Sequence, residues 1–256
     1  MSLTLPRALL LDFGGVVVQT TRRDSWADEL AADVCELLRA CHCDALDLPA
    51  VRRDILAGAA ADSAWKDAMS RIPDPAELTP VMFWRDFVAI DWPEQARTVV
   101  ATQAWPLCRR MGELRSQRQA RAGLIDLLSW CEDQGLPVGI VSNALSGIVH
   151  RDWLTAAGLD KQFALQIYSD EIGIRKPHPD MIGVACRSLG ITPDQAWYVG
   201  DNFDRDVVCG RRAGVGATIL MIARDTHDKP FEVAAEPDAV VDDPAGLLDL
   251  LKGAVA

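Results

Sequence analysis

The chain has 256 residues, 49% of them hydrophobic and 25% charged, enough to bury one large core or two modest ones. Its net charge of −11 argues against nucleic-acid binding and against adhesion to anionic membranes, and no apolar stretch approaches transmembrane length. The seven cysteines show no framework spacing, and the early apolar run stops at Asp12 instead of continuing as a leader, so a cytoplasmic protein with reduced thiols is expected.

The first element is a buried strand over 7–12 (RALLLD), an apolar run ending in an acid and broken by Gly14 and Gly15. Helical periodicity then takes over, with helices expected at 24–40, 49–60, 63–72, 79–90 and 93–103. Pro73, Pro75, Pro80, Pro93 and Pro106 punctuate them, and Thr79 stands ahead of a proline at a first helical position. Beyond this block the chain alternates: helix 118–134, strand 137–141, helix 146–157, strand 164–168, helix 180–189, strand 196–199, helix 205–213 and strand 217–222. A last strand, 239–241, precedes helix 244–252. Short apolar strands alternating with amphipathic helices predict an open parallel α/β sheet covered on both faces. The all-helical stretch then reads as a second domain, residues 21–112, interrupting a core made of 1–20 and 113–256.

In open α/β sheets, ligands bind beyond the carboxyl ends of the strands. There the first strand delivers Asp12, the second Ser142 and Asn143, and the fourth Asp201. Lys176, one of only five lysines, sits in the loop between the third and fourth strands, directly before Pro177 and a helix. A carboxylate, a hydroxyl, an ammonium and a second carboxylate on one sheet edge make a metal-and-phosphate set. Asp12 can attack a phosphoryl group to form an acyl phosphate, which splits one hard displacement into two easier ones. Two anions meet in that step, which calls for Mg²⁺ between carboxylates and substrate oxygens and for Lys176 to neutralise the phosphate. Ser142 and Asn143 can contact a phosphoryl oxygen or cap the next helix. Asp206 can hold a metal-bound water, orient the lysine, or be structural. Arg22 and Arg23 lie where the chain enters the helical block, either reaching an anionic substrate or serving as solvated linker residues.

The blocks LLLDFGGVVV, VGIVSNA, GIRKPHPD and YVGDNFDRDVVCGRRAGV resemble the four motifs of the haloacid dehalogenase-like (HAD) hydrolase superfamily, of the type with a helical cap. The resemblance spans roughly residues 5–20 and 117–222, with the motifs in the family's order. It implies a Rossmann-like core, an alpha-helical cap inserted after the first strand, and Mg²⁺ held by Asp12, the Gly14 carbonyl and Asp201. It also implies a small phosphorylated metabolite as substrate, and leaves its identity and the oligomeric state open.

Most phosphatases of the family carry a second aspartate two residues after the nucleophile, as the proton donor to the leaving oxygen. Here that position is Gly14. Four readings follow, in order of preference: a phosphatase that draws its proton from the cap or solvent; a non-catalytic binder of a phosphoryl ligand; a 2-haloacid dehalogenase, although Asp201 and Asp206 are both retained; and a phosphonatase, which needs a cap lysine where the chain offers only Lys66.

Overall fold

Apolar runs with no polar side chain to solvate become buried strands, and the computed structural model, which describes residues 3–254, contains six of them in one parallel sheet. The first strand is β1 (Ala8–Leu11); β2 (Val18–Arg22) and β3 (Ser116–Ala120) pair antiparallel as a separate two-stranded ribbon. The sheet continues with β4 (Val138–Ser142), β5 (Leu165–Tyr168), β6 (Ala196–Gly200), β7 (Ala217–Met221) and β8 (Ala239–Val241). Its order is β5-β4-β1-β6-β7-β8. The chain leaves β1 toward β4 and β5, then returns to the other side of β1 as β6. The switch point therefore lies at β1, and a crevice opens at the carboxyl ends of β4, β1 and β6.

Between β2 and β3 the chain is helical: α1 (Trp26–Ala40), α2 (Leu48–Met69), α3 (Pro80–Met82) running into a π-helical turn (Phe83–Val88), α4 (Glu94–Thr102) and α5 (Ala104–Arg115). These helices share a core of their own, built on Trp26, Leu30, Val34, Ile55, Phe83, Trp84 and Met111. The remaining helices pack on the sheet: α6 (Leu124–Asp133), α7 (Ile148–Ala156), α8 (Ser169–Ile172), α9 (Asp180–Ser188), α10 (Val208–Ala213) and α11 (Pro244–Lys252). Leu9 and Leu11 of β1 meet α6 and α11 on one face, whereas Leu10 meets α9 and α10 on the other. A register slip of one residue would reverse that partition, and each leucine is fully buried, worth roughly 1.5–3 kcal/mol. The register that presents Asp12 to the crevice is thus fixed by packing.

Three expectations need correction. The helices expected at 49–60 and 63–72 are one helix, α2, because no glycine or proline separates them and Asp62 pairs with Lys66 one turn on. Pro106 does not end a helix; it lies in the first turn of α5, where its missing N–H costs nothing. The helix expected from 118 starts only at Leu124, after Gly123 with φ +80°. Ser116–Ala120 (SQRQA) has no apolar stripe to bury, and pairs with the equally polar β2 instead.

Candidate active site

The turn after β1 fixes the geometry. The Asp12 N–H donates to the Val199 carbonyl at 2.8 Å, and the Val17 and Val18 N–H groups both return to the Phe13 carbonyl. Gly15 has φ +74°, and a Cβ there would land on the Asp201 carboxylate, so only glycine lets the turn and the acid lie so close. Arg121 holds the turn from below, donating to the carbonyls of Gly15 (2.6 Å), Ile222 (3.0 Å) and Asp242 (2.6 Å).

Lys176 is the hub. Its ammonium reaches Asp12 Oδ1 at 2.8 Å, Asp206 Oδ1 at 2.7 Å and the Tyr198 hydroxyl at 2.9 Å. Tyr198 also donates to Asp206 Oδ1 at 2.7 Å, and the Asn202 N–H donates to Asp206 Oδ2 at 3.0 Å. Burial works against the Lys176 charge, but the Asp12 and Asp206 carboxylates outweigh it and hold the ammonium above the ordinary lysine value. The lysine is therefore permanently charged beside Asp12. Its backbone is clamped by Asn143, which accepts from the Lys176 N–H at 2.8 Å and donates to the Lys176 carbonyl at 3.1 Å.

Asp12, Gly14, Ser142, Asn143, Lys176, Asp201 and Asp206 line one cavity of about 320 Å³. The two remaining sequence candidates lie elsewhere. Arg22 lines an adjoining cavity, and Arg23 pairs with Glu29 at 2.7 Å. Asn143 lines the site and also clamps the Lys176 backbone, with its second amide N–H left over. Asp206 pairs with the lysine through Oδ1 and also belongs to a carboxylate cluster with Asp12 and Asp201.

Several residues of the cavity escaped the sequence reading. Arg118 enters it from β3, a strand that reads as a helix start by periodicity. His150 enters from α7 and stacks on Phe13, with ring centroids 4.1 Å apart. Burial, with Arg118 and Lys176 nearby, pushes its imidazole down to about 3, so it is neutral. A third group lies outside the cavity: Glu77, between α2 and α3, pairs with Arg175 at 2.9 Å, and both side chains are almost fully buried. Glu77 also accepts from the Ser169 hydroxyl and the Leu78 N–H, tying the helical segment to the loop that carries Lys176. No local pattern signals a pair 98 residues apart.

Asp12, Asp201 and Asp206 each offer a carboxylate oxygen, all within 4.8 Å of one another. Burial, with Asp206 and Asp12 alongside, holds the Asp201 carboxyl well above the usual carboxylate range, against the opposing charges of Lys176 and Arg205. Lys176 answers Asp12 and Asp206 directly. Three clustered carboxylates, an all-oxygen donor set, fit a hard cation.

A model of the haloacid dehalogenase-like hydrolases matches residues 6–214. The chain belongs to this family. Among curated relatives, a glyceraldehyde 3-phosphate phosphatase of Methanopyrus kandleri is 31% identical over 131 residues, covering 50% of this chain and 55% of that protein. A phosphoserine phosphatase of Thermus thermophilus is 32% identical over 151 residues, covering 59% and 55%. The chain thus spans about half the length of these relatives. Among solved structures, a HAD phosphatase of Thermococcus onnurineus superposes with a TM-score of 0.59 at 19% identity, over 97% of this chain and 99% of that one. The HAD hydrolase YfnB of Bacillus subtilis, solved with magnesium, gives 0.59 at 17% identity over 97% and 99%. At these identities the superpositions establish the Rossmann-like HAD fold.

Proposed function

We propose that the protein is a Mg²⁺-dependent phosphatase of a small phosphorylated metabolite, working through an aspartyl phosphate at Asp12. The observation that carries this reading is the charged, buried Lys176 bonded to Asp12 Oδ1. Oδ1 also accepts the Phe13 N–H at 2.7 Å, whereas no hydrogen bond or ion pair engages Oδ2 among the described residues. One oxygen is anchored and the other is left to attack. Asp12, the Gly14 carbonyl and Asp201, with Asp206 beside them, would hold Mg²⁺, which when bound would supply the charge neutralisation that lets two anions meet.

Oδ2 of Asp12 attacks phosphorus, the bond to the leaving oxygen breaks, and Lys176 stabilises the charge gathering on the phosphoryl oxygens. Ser142, buried at the end of β4, donates its hydroxyl to one of those oxygens. Asp206 and Tyr198 keep Lys176 aimed at Asp12 throughout. The leaving oxygen takes its proton from a water held in the site. A second water then attacks phosphorus, the bond from phosphorus to Oδ2 breaks, the attacking water gives its proton to solvent, and inorganic phosphate leaves with Asp12 regenerated. The helical segment would act as a mobile cap, closing over the crevice during phosphoryl transfer, opening for hydrolysis and product release, and selecting the leaving group.

The relatives named as phosphatases of glyceraldehyde 3-phosphate and phosphoserine support this reading. The three-acid cluster favours it over halide displacement, which needs no cation. Lys66, which a phosphonatase mechanism would require free, is paired with buried Asp62 at 2.7 Å. Seven unpaired cysteines suit a cytoplasmic location. The test is a panel of phosphate esters with Mg²⁺, comparing wild type with Asp12→Asn. Asp12-dependent phosphate release supports the proposal, and its absence on every ester refutes it.

A further inference from the structure

A second basic site lies beside the first. Arg22 ends β2 and Arg115 ends α5, adjacent across the ribbon, with the Arg115 carbonyl accepting the Arg23 N–H at 3.1 Å. Both guanidinium groups stand on the buried Trp26 ring, at 6.0 and 5.6 Å from its centroid. Arg23 has Glu29, but neither Arg22 nor Arg115 forms an ion pair among the described residues. Placing two like charges on one ring without a counter-ion is costly. Burial lowers the Arg115 guanidinium, the Asp62 charge opposes this only partly, and Arg22 adds to it.

The pair opens onto a cavity of about 670 Å³ whose lining shares Gly15, Thr20, Asp201 and Asp225 with the Asp12 cavity, so the two adjoin. That volume accommodates a small ligand. Arg121 and Arg224 also line it, against two acids, Asp201 and Asp225; Arg121 is spent on backbone carbonyls and Arg224 lies 3.6 Å from Asp225. Arg22 and Arg115 are the uncommitted cations. The β2–β3 pairing sets Thr20 opposite Arg118 and Arg22 opposite Ser116, so one face of the ribbon carries basic groups outward from the Asp12 cavity.

We propose that Arg22 and Arg115 form a second oxyanion subsite, so that the preferred phosphate ester carries a carboxylate or a further phosphate on its leaving group. This rests on phosphoryl transfer at Asp12. A planar guanidinium fork binds either oxyanion in a bidentate manner, and an anion between the two arginines relieves their mutual repulsion.

The test compares kcat/KM with Mg²⁺ for three esters: glycerol 3-phosphate, 3-phosphoglycerate and 1,3-propanediol bisphosphate. The ester with a second anion should be preferred over glycerol 3-phosphate by roughly 10- to 100-fold. Which acidic ester leads identifies the anion. Arg22→Gln and Arg115→Gln should each lower that ratio, chiefly through KM, and Arg22→Lys should keep part of it. Arg22 is exposed, so Arg22→Gln carries the test if Arg115→Gln fails to fold. Equal kcat/KM for the three esters, with turnover still dependent on Asp12, overturns the subsite and leaves the phosphatase reading standing. If no ester turns over, calorimetric affinities of 3-phosphoglycerate and glycerol 3-phosphate for Asp12→Asn protein still decide: a ratio near one overturns the subsite, and tighter binding of the acidic ester that Arg22→Gln abolishes supports it.

Discussion

Gly14→Asp restores a proton donor at the one position where the site lacks it, and the structure has room for it. A Cβ built at Gly14 meets nothing within 4 Å, and its backbone is not in the left-handed region, unlike that of Gly15. The glycine is therefore not demanded by packing, and replacing it also reduces the freedom of the unfolded chain. The new carboxylate would join Asp12, Asp201 and Asp206, whose charges raise its pKa, and a raised pKa suits a group that must hold a proton near neutral pH. General acid catalysis is typically worth ~10²–10⁴-fold, or roughly 3–5 kcal/mol of barrier at 1.36 kcal/mol per tenfold. We expect kcat on alkyl phosphates to rise within that range, and kcat on aryl phosphates, whose leaving groups need little protonation, to rise far less. Steady-state phosphate release on matched alkyl and aryl esters measures both. An unchanged or lower kcat on alkyl esters, in a variant that folds and binds Mg²⁺, would refute the idea that protonation of the leaving oxygen limits this enzyme.

Glu77→Ala leaves Arg175 buried without its partner, so urea denaturation should show a loss of about 3–5 kcal/mol; a loss below about 1 kcal/mol would mean the tie between helical segment and Lys176 loop is slack. Asp201 has a raised folded pKa, so in metal-free protein its contribution to stability is lost as pH rises above the unfolded carboxylate range. Asp201→Asn should accordingly raise the Tm without metal, by 2–4 °C for each ~1 kcal/mol recovered, and should show none of the further rise with added Mg²⁺ that the proposed site predicts for wild type; a lower Tm would contradict this. His150, held down to about 3 against about 6.5 in an unfolded chain, leaves the unfolded state binding the extra proton between those values. Stability should fall as pH drops through that window, by at most about 1.4 kcal/mol per unit, and His150→Phe should flatten the slope measured by urea midpoints; an unchanged slope would exclude His150 as its source.

The sheet was legible because burial writes its own pattern. Strands such as ALLL and AWYVG are apolar on both faces, and each ends at the crevice, so Asp12, Ser142 and Asp201 could be read from their positions after strands. Lys176 was legible by scarcity and by its place in the order of motifs. The polar ribbon was not. SQRQA and VQTTR have little hydrophobic signature, and their pairing joins residues about a hundred positions apart, so Arg118, and Arg115 at the ribbon's edge, went unseen. Asn143 stands just after the end of a strand and could be read from that position, but its bonds to the Lys176 backbone could not, because a distant loop brings that backbone up. Arg23 was indistinguishable from Arg22 until Glu29 folded against it. Tertiary contacts decided these cases, and local sequence does not encode them.

The most direct measurement is mass spectrometry of protein quenched in acid during turnover of a phosphate ester with Mg²⁺. A hydroxylamine-labile phosphoryl group should appear on the peptide carrying Asp12, decay as substrate is exhausted, and be absent in Asp12→Asn. Turnover that proceeds with Asp12 unmodified, and persists at the wild-type rate in Asp12→Asn, would contradict Asp12 as the nucleophile.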